Sequence, residues 1–249
     1  MTLWLAVAAA AGVLVGLGSG GLGVLLERTE KLEEEEREER LQYERDVAAA
    51  REAAEHDGKP APAAEAWVTE RYGWTWLEYG LSPLLTAGGY AAFVAHGPLG
   101  YGLVIRLVWA TVLVHILVFD LKHRLILNRI TYPAILAALA VAQWSPGLTA
   151  PRALVGAAGI ALFFFVLNVI SRGSIGLGDA KLGGFIGAVT GAGNDPGHIG
   201  AVYAAIYGIL LGGAAALFLL ITRLRRLKDP IPYGPFLCIG AAIILYQGP

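Results

Sequence analysis

The sequence predicts an all-α protein: a polytopic transmembrane helical bundle of about eight spans, with a charged cytoplasmic helical insert after the first. Three observations lead there. Of the 249 residues, 56% are hydrophobic and only 16% are charged, where a soluble domain carries about 25% charged residues. Several apolar runs approach the ~20 residues that a helix needs to cross a bilayer, and an open sheet in lipid would leave its backbone groups unpaired. Finally, lysine and arginine gather in alternate connections between those runs, as they do in multi-pass proteins.

The apolar runs are 2–26, 77–95, 99–119, 130–144, 152–171, 182–193, 200–221 and 231–247. Residues 1–26 contain no charged side chain. They lack the basic start and the brevity of a secretory signal, so the segment reads as a retained spanning helix. The fourth and sixth runs are short, and the glycine-rich 182–193 reads as a half-span or a tilted, buried helix. Within it, Gly183 and Gly187 have the small-xxx-small spacing that packs membrane helices closely. Three divisions result: a first transmembrane helix (1–26), a charged insert and linker (27–76), and a transmembrane core (77–249).

With the N-terminus outside, 27–76, 120–129, 172–181 and 222–230 fall in the cytoplasm. Those segments hold every Lys and Arg except Arg106 and Arg152, which fits the positive-inside rule and a cytoplasmic (inner) membrane. Arg106 lies within an apolar run and is expected to face the bundle, in an ion pair or a carbonyl contact. The net charge of −1 gives no preference for an acidic partner, and nothing resembles a nucleic-acid surface. The single cysteine, Cys238, permits no disulfide within the chain and no Cys-x-x-Cys metal pair. It reads as a small apolar filler, and no metal or cofactor is expected.

The insert differs in kind from the rest. Residues 32–55 are dense in Glu, Arg and Ala, and Glu33/Arg37 and Glu36/Arg40 have the Glu-first i,i+4 order that supports a helix. Asp57-Gly58-Lys59-Pro60 then breaks it. A solvated spacer helix with a loose linker is the plain reading, and a short coiled-coil contact with a partner protein is the alternative. Trp67, Trp74, Trp76, Tyr79 and Trp144 gather near span edges, where aromatic side chains anchor a protein at the lipid–water interface.

Two aspartates carry the functional argument. Asp120 closes the run 99–119, and Asp179 sits in Gly176-Leu177-Gly178-Asp179-Ala180-Lys181. Both fall at the cytoplasmic boundary, each at the exit of an inward-running helix. Acidic residues there are costly and usually functional. Two carboxylates that share a site do not both ionise readily, so one keeps its proton while the other stays charged. The charged one can take a proton from water, while the neutral one hydrogen-bonds a carbonyl and later protonates a leaving amine. Gly176 and Gly178 clear space for a substrate backbone, and Lys181 either offsets negative charge in the site or faces lipid headgroups. The inert alternatives are a solvent-exposed loop acid for Asp120 and a helix N-cap for Asp179. Asn128 and Asn168 are candidates for hydrogen bonds across helices. Gly234, between Pro232 and Pro235, suits a close approach near the site. His115 is poorly aligned with Asp120 and reads as a packed histidine.

The motif 176–181 resembles the GxGDxK signature of the type IV prepilin peptidases, membrane aspartyl proteases of the GxGD class. Asp120 with the following Leu121 to Asn128 is similar to their first aspartate motif. Ile231-Pro232-Tyr233-Gly234-Pro235-Phe236 is similar to the opening of their last helix. The three matches lie in family order, and the resemblance covers roughly 77–249. It implies an eight-span enzyme whose aspartates, Asp120 and Asp179, cleave leader peptides from prepilin or pseudopilin precursors at the cytoplasmic face, with the substrate's apolar helix alongside in the bilayer.

There are departures from the pattern. Leu127 stands where the family has a proline. The insert 27–70 occupies the place of a cysteine-bearing one, with no cysteine and hence no zinc. Gly18-Ser19-Gly20-Gly21-Leu22-Gly23-Val24 matches the family's first-helix motif poorly. The N-methyltransferase activity of bifunctional members is therefore not assigned. Two other classes remain open: a proton-coupled transporter, which would show an inverted repeat and acids near the bilayer midplane, and a membrane scaffold whose insert recruits a partner. Neither an inverted repeat nor midplane acids is found.

Overall fold

A computed structural model describes residues 2–30, 32–56, 72–172, 175–191, 199–222 and 232–247. Among them every regular element is helical: α1 (Thr2–Thr29), α2 (Leu32–His56), a π-helical turn (Leu77–Leu81) that runs directly into α3 (Ser82–His96), α4 (Tyr101–His123), α5 (Asn128–Val141) with a closing 3-10 turn (Ala142–Trp144), α6 (Ala150–Ile170), α7 (Leu177–Thr190), α8 (Gly200–Ile221) and α9 (Gly234–Gln247). Four helices, Leu3–Thr29 of α1, α4, α6 and α8, are long and apolar enough to cross a bilayer. The protein is thus an all-helical membrane protein. The other apolar helices, α3, α5, α7 and α9, have 14 or 15 residues each.

Glycine sets the packing distances. A Cβ on Gly12 would lie 2.5 Å from Ala87 Cα, and one on Gly20 would lie 2.8 Å from the Glu78 carbonyl oxygen. One face of α1 therefore lies directly against α3 and the π turn. The same device joins α6 to α7, where a Cβ on Gly187 would overlap the Gly156 backbone and one on Gly183 would lie 2.9 Å from Ile160 and Phe164. Helix α7 packs against α5, α6, α8 and α9, and every residue from Leu182 to Val189 is buried. The glycine-rich short run is thus a buried central helix, as its composition suggests.

The charged segment 32–56 is a helix, with Arg40 paired to Glu44 at 3.0 Å on its exposed surface. Residues 57–71 of the linker after it, including Trp67, lie outside the described residues, as do the side chains of Glu33 and Glu36. Trp74, Trp76, Tyr79 and Trp144 are all more than half exposed, as interfacial aromatics are. Arg106 lies in the second turn of α4 with a guanidinium nitrogen 4.0 Å from the Cβ position of Gly97. That is nearer the end of the helix than its middle, and among the described residues it has no ion pair.

Candidate active site

Asp120 lies in the last turn of α4 and is 4% exposed. Helix α4 continues to His123, so Asp120 is not a solvent-exposed loop acid. The helix ends at Arg124, whose backbone is left-handed (φ 53°) and whose N–H donates to the Asp120 carbonyl at 2.8 Å. The Asp120 carboxylate lies against the backbone of Gly234, the first residue of α9. A Cβ at Gly234 would lie 2.6 Å from Asp120 Oδ2, so only glycine allows this approach. The start of a helix carries partial positive charge, which suits a carboxylate there.

Asp179 is the third residue of α7, and Gly176, not Asp179, is the N-cap. The Asp179 carboxylate turns back toward the backbone of Gly176, its Oδ2 3.7 Å from the Cβ position there, and the Asp179 N–H donates to the Gly176 carbonyl at 3.1 Å. An acid at this third position is placed as in a capping box. The loop before it is tied down as well: Asn168 Nδ2 donates to the Ile175 carbonyl, and Ile175 N donates to Ser171 Oγ at 3.2 Å. Asn168 thus holds the entry to α7 rather than bridging two helices.

The fold brings these two ends together. The Asp120 and Asp179 carboxylates lie within electrostatic reach of one another, and each also acts on the Cys238 thiol. Asp179 acts on the Tyr233 hydroxyl. Between the two aspartate motifs lies Ile126, its Cβ 3.3 Å from the Cβ position of Gly178 and its Cδ1 3.5 Å from that of Gly234. The 124–127 connector therefore spaces α7 from α9. Leu127, at the family's proline position, has φ −69°, a value that proline itself would impose.

Lys181 Nζ donates to Asn128 Oδ1 at 2.7 Å and sits 5.8 Å from the centre of the Tyr132 ring. Among the described residues it makes no ion pair with either aspartate. Its contact ties the first turn of α7 to the start of α5. Of the residues singled out in the sequence, Asp120, Asp179, Gly176, Gly178 and Gly234 thus converge, and Lys181 and Asn128 pair beside them. Tyr233, Cys238 and Ile126 join the site without being among the candidate site residues of the sequence. Two of them, Ile126 and Tyr233, lie inside the quoted motifs, whereas Cys238 has no sequence signal beyond being the single thiol.

A second polar cluster lies beside the site and was not anticipated. Lys122 Nζ donates to Glu27 Oε1, to Glu78 Oε1 at 2.8 Å and to the Gly73 carbonyl at 2.7 Å. His123 Nε2 lies 2.9 Å from Glu27 Oε1, and Gly73 N donates to Glu27 Oε2 at 2.8 Å. Thr75 covers the second oxygen of Glu78 through its N–H and its hydroxyl. The Lys122, Glu27 and Glu78 side chains are only 3–4% exposed. Glu27 is therefore a buried residue near the end of α1 rather than the first charge of a solvated insert. His115 is buried, with Nδ1 3.0 Å from Ser19 Oγ, and is a packed histidine as expected.

The sequence pattern of the type IV leader peptidase family matches residues 107–222. The chain is similar to a protein named prepilin leader peptidase/N-methyltransferase from Bacillus subtilis, with 30% identity over 176 residues, 68% of this chain and 66% of the relative. It is likewise 30% identical over 172 residues to proteins of the same name from two strains of Burkholderia pseudomallei, covering 67% of this chain and 52% of each relative. The chain thus spans between about half and two thirds of the length of the curated relatives it matches. No solved structure matches it. Through residues 107–222, the chain belongs to the type IV leader peptidase family.

Proposed function

We propose that the protein is a membrane aspartyl endopeptidase that removes leader peptides from prepilin-like or pseudopilin-like precursors, with Asp120 and Asp179 as its catalytic pair. The observation that carries the reading is the convergence of two carboxylates from distant segments, each against the backbone at the start of a helix, within reach of each other's charge. The family match and the names of the relatives supply the substrate class.

In this reading the charged carboxylate accepts a proton from a water molecule. The water oxygen bonds to the scissile carbonyl carbon while the neutral carboxylic acid donates to the carbonyl oxygen. The tetrahedral diol then collapses: the C–N bond breaks, the amine leaves with a proton from the pair, a diol hydroxyl returns its proton to a carboxylate as the C=O bond re-forms, and the two carboxyls again hold one proton between them. Such a pair titrates as a unit, so neither aspartate owns the acid role in the resting state. The distribution of lysine and arginine supports a site at the cytoplasmic surface. The lack of cysteine in 27–70 and the poor first-helix match confine the proposal to the peptidase step.

The test is leader release from a prepilin-type precursor by the protein purified in detergent. Asp120→Asn and Asp179→Asn should each abolish release while the protein still inserts in the membrane and purifies as a folded species. Wild-type rates in either variant would refute the pair.

A further inference from the structure

An apolar groove of about 300 Å³ lies between α3, α4 and α9. Its near end lies about one helical turn from Asp120 and from Gly234. Leu117, on its wall, is one turn before Asp120 on α4, and Cys238 is one turn after Gly234 on α9. From Cys238 it follows α9 to Tyr246, eight residues or ~12 Å of helix, where Tyr246 meets Phe93 edge to face at 5.9 Å between ring centres. Its rim is open: Ile239 is 40% exposed and Tyr246 36%.

The lining offers a polar ligand almost nothing. The Thr86 hydroxyl already donates to the Ser82 carbonyl at 2.8 Å, and the remaining wall is aliphatic or aromatic apart from Cys238 and the Tyr246 hydroxyl. A groove of this size admits one face of a helix, as in helix-in-groove recognition, rather than a whole helix. The occupant must be apolar, and the position of the groove selects among apolar occupants. A peptide cleaved at Asp120 and Asp179 continues from the scissile bond, and the groove, whose near end lies about one helical turn from Asp120, runs on along α4 and α9.

We propose that this groove receives the apolar segment that follows the scissile bond of the precursor, one face of that segment packing along α4 and α9. The proposal rests on the peptidase reading. It makes Gly89 a specificity-determining position. Gly89 lines the groove, and no atom lies within 4 Å of its Cβ position, so a large side chain there fills the groove without a clash. Its neighbour Gly88 is exposed, is likewise free of contacts within 4 Å, and does not line the groove.

The experiment compares wild type, Gly89→Trp and Gly88→Trp on two substrates. One is a full-length precursor, and the other is a soluble peptide spanning the same junction but ending before the apolar segment. Gly89→Trp should raise KM for the precursor ~tenfold or more, the scale at which filling a hydrophobic pocket discriminates substrates. It should leave kcat/KM for the short peptide unchanged, and Gly88→Trp should match wild type on both. If wild type cleaves only the precursor, loss of that cleavage in Gly89→Trp but not in Gly88→Trp supports the proposal equally. Unchanged precursor kinetics in Gly89→Trp overturns it and leaves the groove to lipid chains. A parallel loss on both substrates also overturns it, because the damage then lies in the site. Failure of wild type on both substrates instead removes the peptidase reading, and this proposal with it.

Discussion

Gly234→Ala adds one methyl group at the point where α9 meets Asp120. That carbon would lie 2.6 Å from Asp120 Oδ2, 3.1 Å from its Cγ and 3.5 Å from Ile126 Cδ1. Comfortable contacts begin near ~3.5 Å, so the carboxylate must retreat by close to ~1 Å or α9 must shift. Asp120 is 4% exposed with Phe119 and Leu117 buried beside it, which leaves little room for retreat. The backbone of Gly234 does not lie in the left-handed region, so alanine adopts it freely and the effect is purely one of contact. Overpacking of this kind costs about 1–3 kcal/mol, and a ~1 Å displacement of a reacting group costs up to ~10²-fold in rate. We therefore expect kcat for leader release to fall about 10–100-fold while the protein remains folded. The assay is release of leader from precursor in detergent, with thermal unfolding recorded in parallel. Gly213→Ala on α8, where no atom lies within 4 Å of the added carbon, is the control and should be silent. A Gly234→Ala variant that cleaves at the wild-type rate would show that the Asp120 carboxylate does not react from this position.

Two further perturbations probe the surroundings. Lys122→Met leaves Glu27 and Glu78 buried without their shared cation, a situation that costs about 3–5 kcal/mol when one partner of a buried pair is removed. The unfolding temperature should drop sharply, and adding Glu27→Gln and Glu78→Gln to Lys122→Met should recover part of the loss. An unchanged unfolding temperature in the single variant would mean that the cluster does not hold the helices. Arg124→Gly relieves the left-handed residue that ends α4, where a non-glycine residue costs roughly 1–2 kcal/mol. Its unfolding temperature should rise by a few degrees, and a fall would assign Arg124 a contact that outweighs the strain.

Much of the scaffold is legible in the sequence because it follows from local pattern. The uncharged stretch before Glu27 and the long runs 99–119, 152–171 and 200–221 become helices because in lipid a backbone must bond to itself. The spacing of Gly183 and Gly187 states in advance that α7 is pressed against a neighbour. The aspartate motifs are legible as motifs, yet the geometry that joins them is not. Asp120 meets Gly234, and Ile126 stands between Gly178 and Gly234, only because α4, α7 and α9 meet at one end of the bundle. The Lys122 cluster is the clearest case of hidden structure. Glu27 opens a long run of charge, and Glu78 follows three tryptophans near an interface, so each reads locally as a surface residue. Their burial depends on Lys122 arriving from ~45–95 positions away along the chain, and no periodicity records such a meeting.

The π-helical turn at 77–81 has a consequence for how tolerant this region is to change. A wide turn of this type accommodates one residue more than an α-helical turn, and each residue of a helix rotates the next side chain by about 100°. The extra residue is taken up within the turn, and Glu78 points inward while Trp76 and Tyr79 point outward. Deleting one residue here would leave a regular helix with its two flanks in nearly the same phase, whereas the same deletion in an ordinary α-helical stretch would turn one flank by about 100°. This segment can therefore lose a residue other than Glu78 at less cost than a regular turn can.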